Sequence, residues 1–432
     1  MEHRRTRPPS LTRTGTPGPL TASLVAVALL AAACGSGEDT TDAADDADLA
    51  FAESASEGEP TELDATTSTT SAEVDEVAEL PVVGEPSDRG TTPTTAGSGL
   101  PPVAVGTPDP GGDPDRIYRG TIGTLGPDEI LAPGAAAPPD AVAGVEPLTG
   151  LAGTVPTRPA AVVKIDNGSA ADPHTGLNAA DLVIEEEVEG GVTRFAAVFH
   201  STPSIVGPVR SGRTTDVALI SGLGEPLLLY SGANAITQQI LVAQPGIELR
   251  SEGWSTGYWR DPTRRAPSNL YTDTAPHWAS ATGDNPPPQF HYRGAGESAD
   301  GAEVDELSVL YPSSIARWVW DGRAWLRWQR GGEHLLVGGE QVSAANVVVI
   351  EADEIDTGMV DAGGGAVPEF LFVGSGRATV FTDGRRIEGT WTRPTLTSVA
   401  TLTEGPGRPI ELTPGRTWIQ LVETGSNAVA FS

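Results

Sequence analysis

The residues whose types and spacing promise chemistry are Arg210 and Arg213 in "GPVRSGRTTD", residues 207–216. A guanidinium makes forked contacts with a carboxylate or phosphate. Gly207, Ser211 and Gly212 let the backbone come close to such a group. A helix starting near Thr214 adds unpaired N–H groups to the same positive spot, and "YSGAN" at 230–234 promises a second helix start beside it. The competing arrangement is internal, with the arginines paired to Glu185, Glu187 or Glu189 across a sheet. Ser211 is a poor nucleophile: the Gly-x-Ser-x-Gly elbow is missing and no histidine is placed by sequence to activate it.

Further candidates gather around this pair. Asn167 lies in an Asp-Asn-Gly turn, Thr193 and Arg194 open an apolar strand, and Arg265, Asn269 and Tyr271 share a later loop, where the Asn269 amide suits a bond to its own backbone. With Glu185 as an acidic wall, the set is expected to bind an anionic or polyhydroxylated envelope ligand without catalysis. Hydrolysis through Asp166 or Glu185, as paired carboxylates cleave glycosides, is one alternative, and a protein-interaction scaffold without a pocket is the other. The six histidines, at 3, 174, 200, 277, 291 and 334, show no ligand spacing, so neither metal nor cofactor is expected. A net charge of -31 without a basic stripe argues against nucleic acid. Trp254, Tyr258 and Trp259 in a glycine-containing loop have the character of a sugar-stacking surface, whereas Trp318, Trp320, Trp325 and Trp328, at hairpin spacing, read as core and cross-strand pairs.

The elements that position these residues are short. "RPAAVVKIDN" reads as a buried strand running into a turn, and "ADLVIEEEV" and "VTRFAAVFHS" as two strands joined at Gly190-Gly191. Period two places Glu185, Glu187 and Glu189 on one face. "VALISGLG" and "ANAITQQILVA" have helical length, and "EPLLLYSG" between them is a strand. Residues 272–300, rich in Pro, Gly and Asp, read as a linker. Beyond them Asp321-Gly322 and Asp383-Gly384 mark hairpins in a piece that is mostly β. The expected fold is α+β: a mixed-sheet domain with short helices over 146–290, then a β-rich domain over 300–432.

The N-terminus carries Arg4, Arg5, Arg7 and Arg13 ahead of an apolar run from Leu20 that ends in Ala-Ala-Ala-Cys34. That run is short for a membrane span and has the form of an export signal over residues 1–33. Cys34, the single cysteine, resembles the lipidated residue of a bacterial lipobox, with Ala31 where leucine is usual. The mature chain is then expected to be tethered by its lipid to the outer face of the cytoplasmic membrane. Glu38 to Asp88 holds 17 acidic and no basic residues and Pro/Gly-rich sequence follows, so 34–145 reads as a disordered tether.

"PLTGL", "RPAAVVKIDN", "GLNAADLVIEEEVEGGVTRFAAVF", "GPVRSGR", "RRAPSNLY", "VGSGRATVFTDGRRIEGTW" and "LTPGRTWIQLV" resemble, in order, the YerB-like bacterial lipoproteins. The likeness spans about 146–430. It implies a lipid-anchored envelope protein with an α+β part followed by a β-rich part, and no reaction. Two positions depart from the family pattern: Lys164, the only lysine, stands at a usually apolar site, and Ser268 where histidine is frequent.

Overall fold

A computed structural model describes residues 135–432 except 295 and 361–364. The export signal, Cys34 and the tether up to residue 134 lie outside the described residues. Among the described residues no helix is long and apolar enough to cross a membrane.

Strands β1 (Ala161–Asp166), β2 (Leu182–Glu187) and β3 (Thr193–Phe199) are rich in Val, Ile, Leu and Phe and buried on both faces, the pattern of central strands. β2 and β3 are antiparallel. Their turn holds Gly190 and Gly191 at φ 75° and 70°, left-handed values that only glycine adopts freely. β3 also pairs antiparallel with β1. β1 continues the sheet in parallel to Leu227–Tyr230 and then Glu248–Ser251.

On the other flank β2 runs parallel to Thr417–Glu423, which runs parallel to Asn346–Val360, and the hairpin Gly374–Thr382 with Arg385–Arg393 follows. One twelve-stranded sheet thus takes strands from both sides of residues 290–300. The two expected domains therefore share this sheet, and residues 272–300 are packed against it rather than free. Trp278 Nε1 donates to the Pro159 carbonyl, Tyr292 Oη donates to that of Leu148, and the Arg293 side chain is buried between Thr382 and Thr413. Composition reads as linker because Pro and Gly dominate, yet a few large side chains suffice to pin the segment.

A second, antiparallel sheet lies against the first. It orders Gly332–Glu333, Trp325–Gln329, Ser314–Trp320, Glu306–Tyr311 and Val429–Phe431, with Ser343–Ala344 beside Trp325–Gln329. Trp318 and Trp325 pack with Phe195 and Trp418 between the sheets, and Trp320 pairs across the hairpin with Trp325 at 5.3 Å. The opposite face of the first sheet is covered by α1 (Thr215–Ile220) and α2 (Ala235–Ala243). α2 is capped by Asn234, whose side-chain oxygen accepts from Thr237 N at 2.8 Å. The last helix, α3, is Thr274–Trp278. Among the described residues strand far outweighs helix, the helices all precede residue 280, and the first sheet is mixed.

Candidate functional site

Strand alternation sorts the charged residues onto two faces. Lys164 and Asp166 of β1, Glu186 of β2 and Arg194 of β3 face the helices. Lys164, fully buried, is bonded to Glu186 and lies 2.6 Å from the Asp216 carboxylate of α1. Burial pushes the Glu186 carboxyl up to about 7 against the pull of Lys164, and Asp216 adds to the rise. The two adjacent carboxylates compensate for burying a lysine ammonium on this strand.

The opening arginines divide. Arg213 is buried and forks onto Glu189, with Nε and Nη2 each 2.6 Å from a carboxylate oxygen. Its backbone N–H donates to Asp216 Oδ2 at 2.6 Å. The expected anion site at this helix start is therefore closed: α1 has only six residues, and its own Asp216 takes up the donor. Glu189 does not share a face with Glu185, because the chain leaves the strand at Val188 and turns it the other way. Arg210 is solvent-accessible, its side chain 26% exposed and its Nε 3.1 Å from Asp166 Oδ2. Asp166 also accepts from Ser268 Oγ at 2.7 Å and Gly168 N at 3.0 Å. Burial raises this carboxyl, but Arg210 and these hydrogen bonds outweigh it, leaving it below the usual carboxylate range. Arg194 Nη1 donates to Ser211 O at 3.1 Å. Burial, then the Arg213 and Arg210 guanidinium groups, pull the Arg194 cation down to about 10. Ser211 Oγ approaches Ser231 Oγ at 3.5 Å. The start of α2 does follow at Asn234, as "YSGAN" promised.

Glu185, Thr193 and Asn167 sit on the other face, away from these arginines. Glu185 is fully buried, receives Arg327 Nη2 at 2.9 Å on both oxygens, and also accepts from Thr193 Oγ1, Gln420 Nε2, Trp418 Nε1 and, at 3.4 Å, Asn167 Nδ2. The guanidinium lies 5.2 to 5.8 Å from the rings of Trp418, Phe195 and Trp318. So Glu185 is no wall of a cavity but half of a strut between the sheets. Arg327, 142 residues distant, carries no local signal.

The strut continues outward. Arg327 Nη1 donates to His334 Nδ1 at 2.7 Å, His334 Nε2 meets His174 Nδ1 at 2.9 Å, and His174 Nε2 is 2.7 Å from the Asp166 carbonyl oxygen. A permanent donor at one end and a carbonyl acceptor at the other give both imidazoles one orientation, with every ring nitrogen engaged. Burial, then Arg327 and His174, drive His334 toward its neutral form. Asp172, 3.2 Å from His174, completes the one group of potential metal ligands found among the described residues. A cation there would break the histidine pair and turn an N–H of His334 toward Arg327. The histidines meet from 160 residues apart, which no spacing motif could reveal.

The later loop is set apart. Arg265 is exposed, Asn269 Oδ1 accepts from Arg260 Nη1 at 2.8 Å, and the Asn269 amide reaches its own loop only at 3.4–3.5 Å. Tyr271 Oη accepts from Arg264 at 2.6 Å. Ser268, through Asp166, ties this loop to Arg210, and the Leu270 carbonyl accepts from Val209 N at 2.7 Å.

The family "Protein of unknown function (DUF3048) N-terminal domain" matches residues 148–286, and its C-terminal domain matches 307–419. YerB of Bacillus subtilis (strain 168), named as a candidate lipoprotein, is 26% identical over 292 residues, covering 64% of this chain and 85% of that protein. A crystal structure of YerB from Bacillus subtilis aligns with TM-score 0.56 and 24% identity over 67% of this chain and 99% of that one, a likeness of fold.

Proposed function

The chain belongs to the YerB-like family of unknown function, and from that premise we propose that it is a lipid-anchored protein of the cell envelope that binds an anionic ligand through Arg194 and Arg210 without turning it over. The carrying observation is the state of these two side chains. Each places a guanidinium at the C-terminal end of the first sheet's parallel strands, where open α/β sheets bind ligands. Among the described residues, Arg194 spends one N–H on the Ser211 carbonyl and Arg210 faces Asp166 through Nε, leaving the other donors uncommitted. Burial first, then Arg213 and Arg210, lowers Arg194, and a carboxylate or phosphate bridging Arg194 and Arg210 supplies counter-charge to both. The hydroxyls of Ser211 and Ser231 lie beside them.

Hydrolysis has less support. Asp166 is held ionised and Glu185 is saturated with donors and sealed from solvent, so neither is a proton donor facing a ligand. The test is calorimetric titration of the detergent-solubilised full chain with glycerol 3-phosphate and with glucuronate. Arg194→Gln and Arg210→Gln should each weaken binding roughly tenfold, about 1.4 kcal/mol. Unchanged binding in both variants, or no binding of either anion by the parent chain, would overturn the site, and release of product would overturn the non-catalytic reading. For the anchor, Cys34→Ser should shift the protein from the membrane to the medium. Continued membrane retention of that variant would remove the lipid from the proposal.

A further inference from the structure

An open groove of about 540 Å³ lies between the 172–175 turn and the 259–271 loop, separate from the arginine pair. Its size falls in the range of small-molecule sites. Trp259 forms one wall, 41% exposed, and is backed by Tyr271, with ring centroids 6.2 Å apart and planes 22° apart. An exposed indole supported from behind is a flat, preformed apolar platform. Arg264 holds the walls together: Nη1 donates to Tyr271 Oη and to the Pro173 carbonyl at 3.0 Å, and Nη2 to the Ala170 carbonyl at 2.7 Å. With those bonds made, it serves the groove as a strap.

Besides Arg264, the charged groups facing the groove are two carboxylates. The Asp172 carboxylate is gripped by Arg330 at 2.5 and 2.9 Å and by Gln329 at 2.9 Å. His174 and Arg330 outweigh its burial and hold it below the usual carboxylate range. Asp261, fastened by the Thr263 hydroxyl and N–H at 2.6 and 2.8 Å, is lowered by those bonds. Two ionised carboxylates repel anions and accept hydroxyl protons.

We infer that this groove is a binding site for a neutral oligosaccharide, one pyranose ring lying on Trp259 with its hydroxyls donating to Asp172 and Asp261. The weakly positive C–H face of a pyranose suits the negative face of the indole. The electrostatic preference is opposite to that of Arg194 and Arg210, so this inference stands apart from the proposed function and either can fail alone. The exposed Ile205 and Val337 extend the apolar floor beyond a single ring.

The test is titration of the full chain, in a detergent without a sugar headgroup, with chitotriose, cellotriose and trigalacturonate, followed by tryptophan fluorescence and calorimetry. Saturable binding of a neutral trisaccharide is expected at ~1 mM or tighter. It should weaken at least ~10-fold in Trp259→Ala and persist in Trp259→Phe. Trp254→Ala, which alters an exposed ring outside the groove, should leave it unchanged. Any one of three results overturns the inference: no saturable binding of either neutral trisaccharide, equal binding by Trp259→Ala, or equal binding of trigalacturonate.

Discussion

Arg327→Ala should lower the unfolding free energy by about 3–5 kcal/mol, the cost of leaving a buried charge unpaired. Glu185 then loses both Arg327 contacts while staying fully buried, and His334 loses its donor. Glu185→Gln/Arg327→Met removes both charges and keeps the volume, so it should recover most of the loss. The strut joins β2 of the first sheet to a strand of the second, so the single variant should melt in one transition at a lower temperature. Urea and thermal unfolding read both effects. A loss below about 1 kcal/mol, or a double variant no better than the single one, would contradict the account of the strut.

The dependence of stability on pH should come from opposed groups. Glu186 and Glu187 are raised to about 7, both by burial first, with Glu354 and Glu423 then repelling Glu187. A carboxyl raised above its ordinary 4.5 binds its proton more tightly when folded, so each withdraws stability as pH rises from 4.5 through 7. His277 is lowered to about 4 by burial and Arg250, and His334 lies well below 6.5. A lowered histidine stays neutral while the unfolded one takes a proton, so each adds stability as pH rises toward 6.5. The two pairs nearly cancel between 4.5 and 6.5, with the raised Asp181 and Glu354 weighting the acid end toward the carboxylates.

Substitution exposes the separate slopes. Relative to the parent chain, Glu187→Gln should gain about 1–2 kcal/mol between pH 5 and 8, less than one full proton's 1.4 kcal/mol per unit because the residue is half in solvent. His277→Gln should show the opposite relative slope between pH 4 and 6.5. Parallel curves for both variants and the parent chain would refute the assignment.

Much of the local structure was legible. β1, the β2–β3 hairpin, α2 and the Asp383-Gly384 turn carry their signals in a few adjacent residues: β-branched runs, paired glycines, an Asn cap, and φ of 52° and 65° at the turn. The lipoprotein-family resemblance was also readable, because its motifs recur in order. What escaped was whatever depends on distant pairing. Period two correctly separates Glu185 from Glu186, but it cannot show that one meets Arg327 and the other Lys164 and Asp216. Grouping Glu189 with Glu185 failed because the strand ends first, and that Glu189 takes Arg213 follows from a turn geometry the residues do not announce. Of the expected binding set, Arg194, Arg210 and Ser211 do stand together. Asn167, Glu185 and Thr193 form part of the strut face, and Arg265, Asn269 and Tyr271 belong to the loop beside the groove.

The placement of Thr417–Glu423 between β2 and Asn346–Val360 has a consequence for how the chain is made. This strand is synthesised more than two hundred residues after β2, yet it covers the edge of β2. Until it arrives, β2 presents an unpaired, apolar edge, a template for wrong partners. The first half therefore cannot reach its final form as a free-standing unit during synthesis, and closing the sheet waits on contacts of very long sequence separation, which are slow to form.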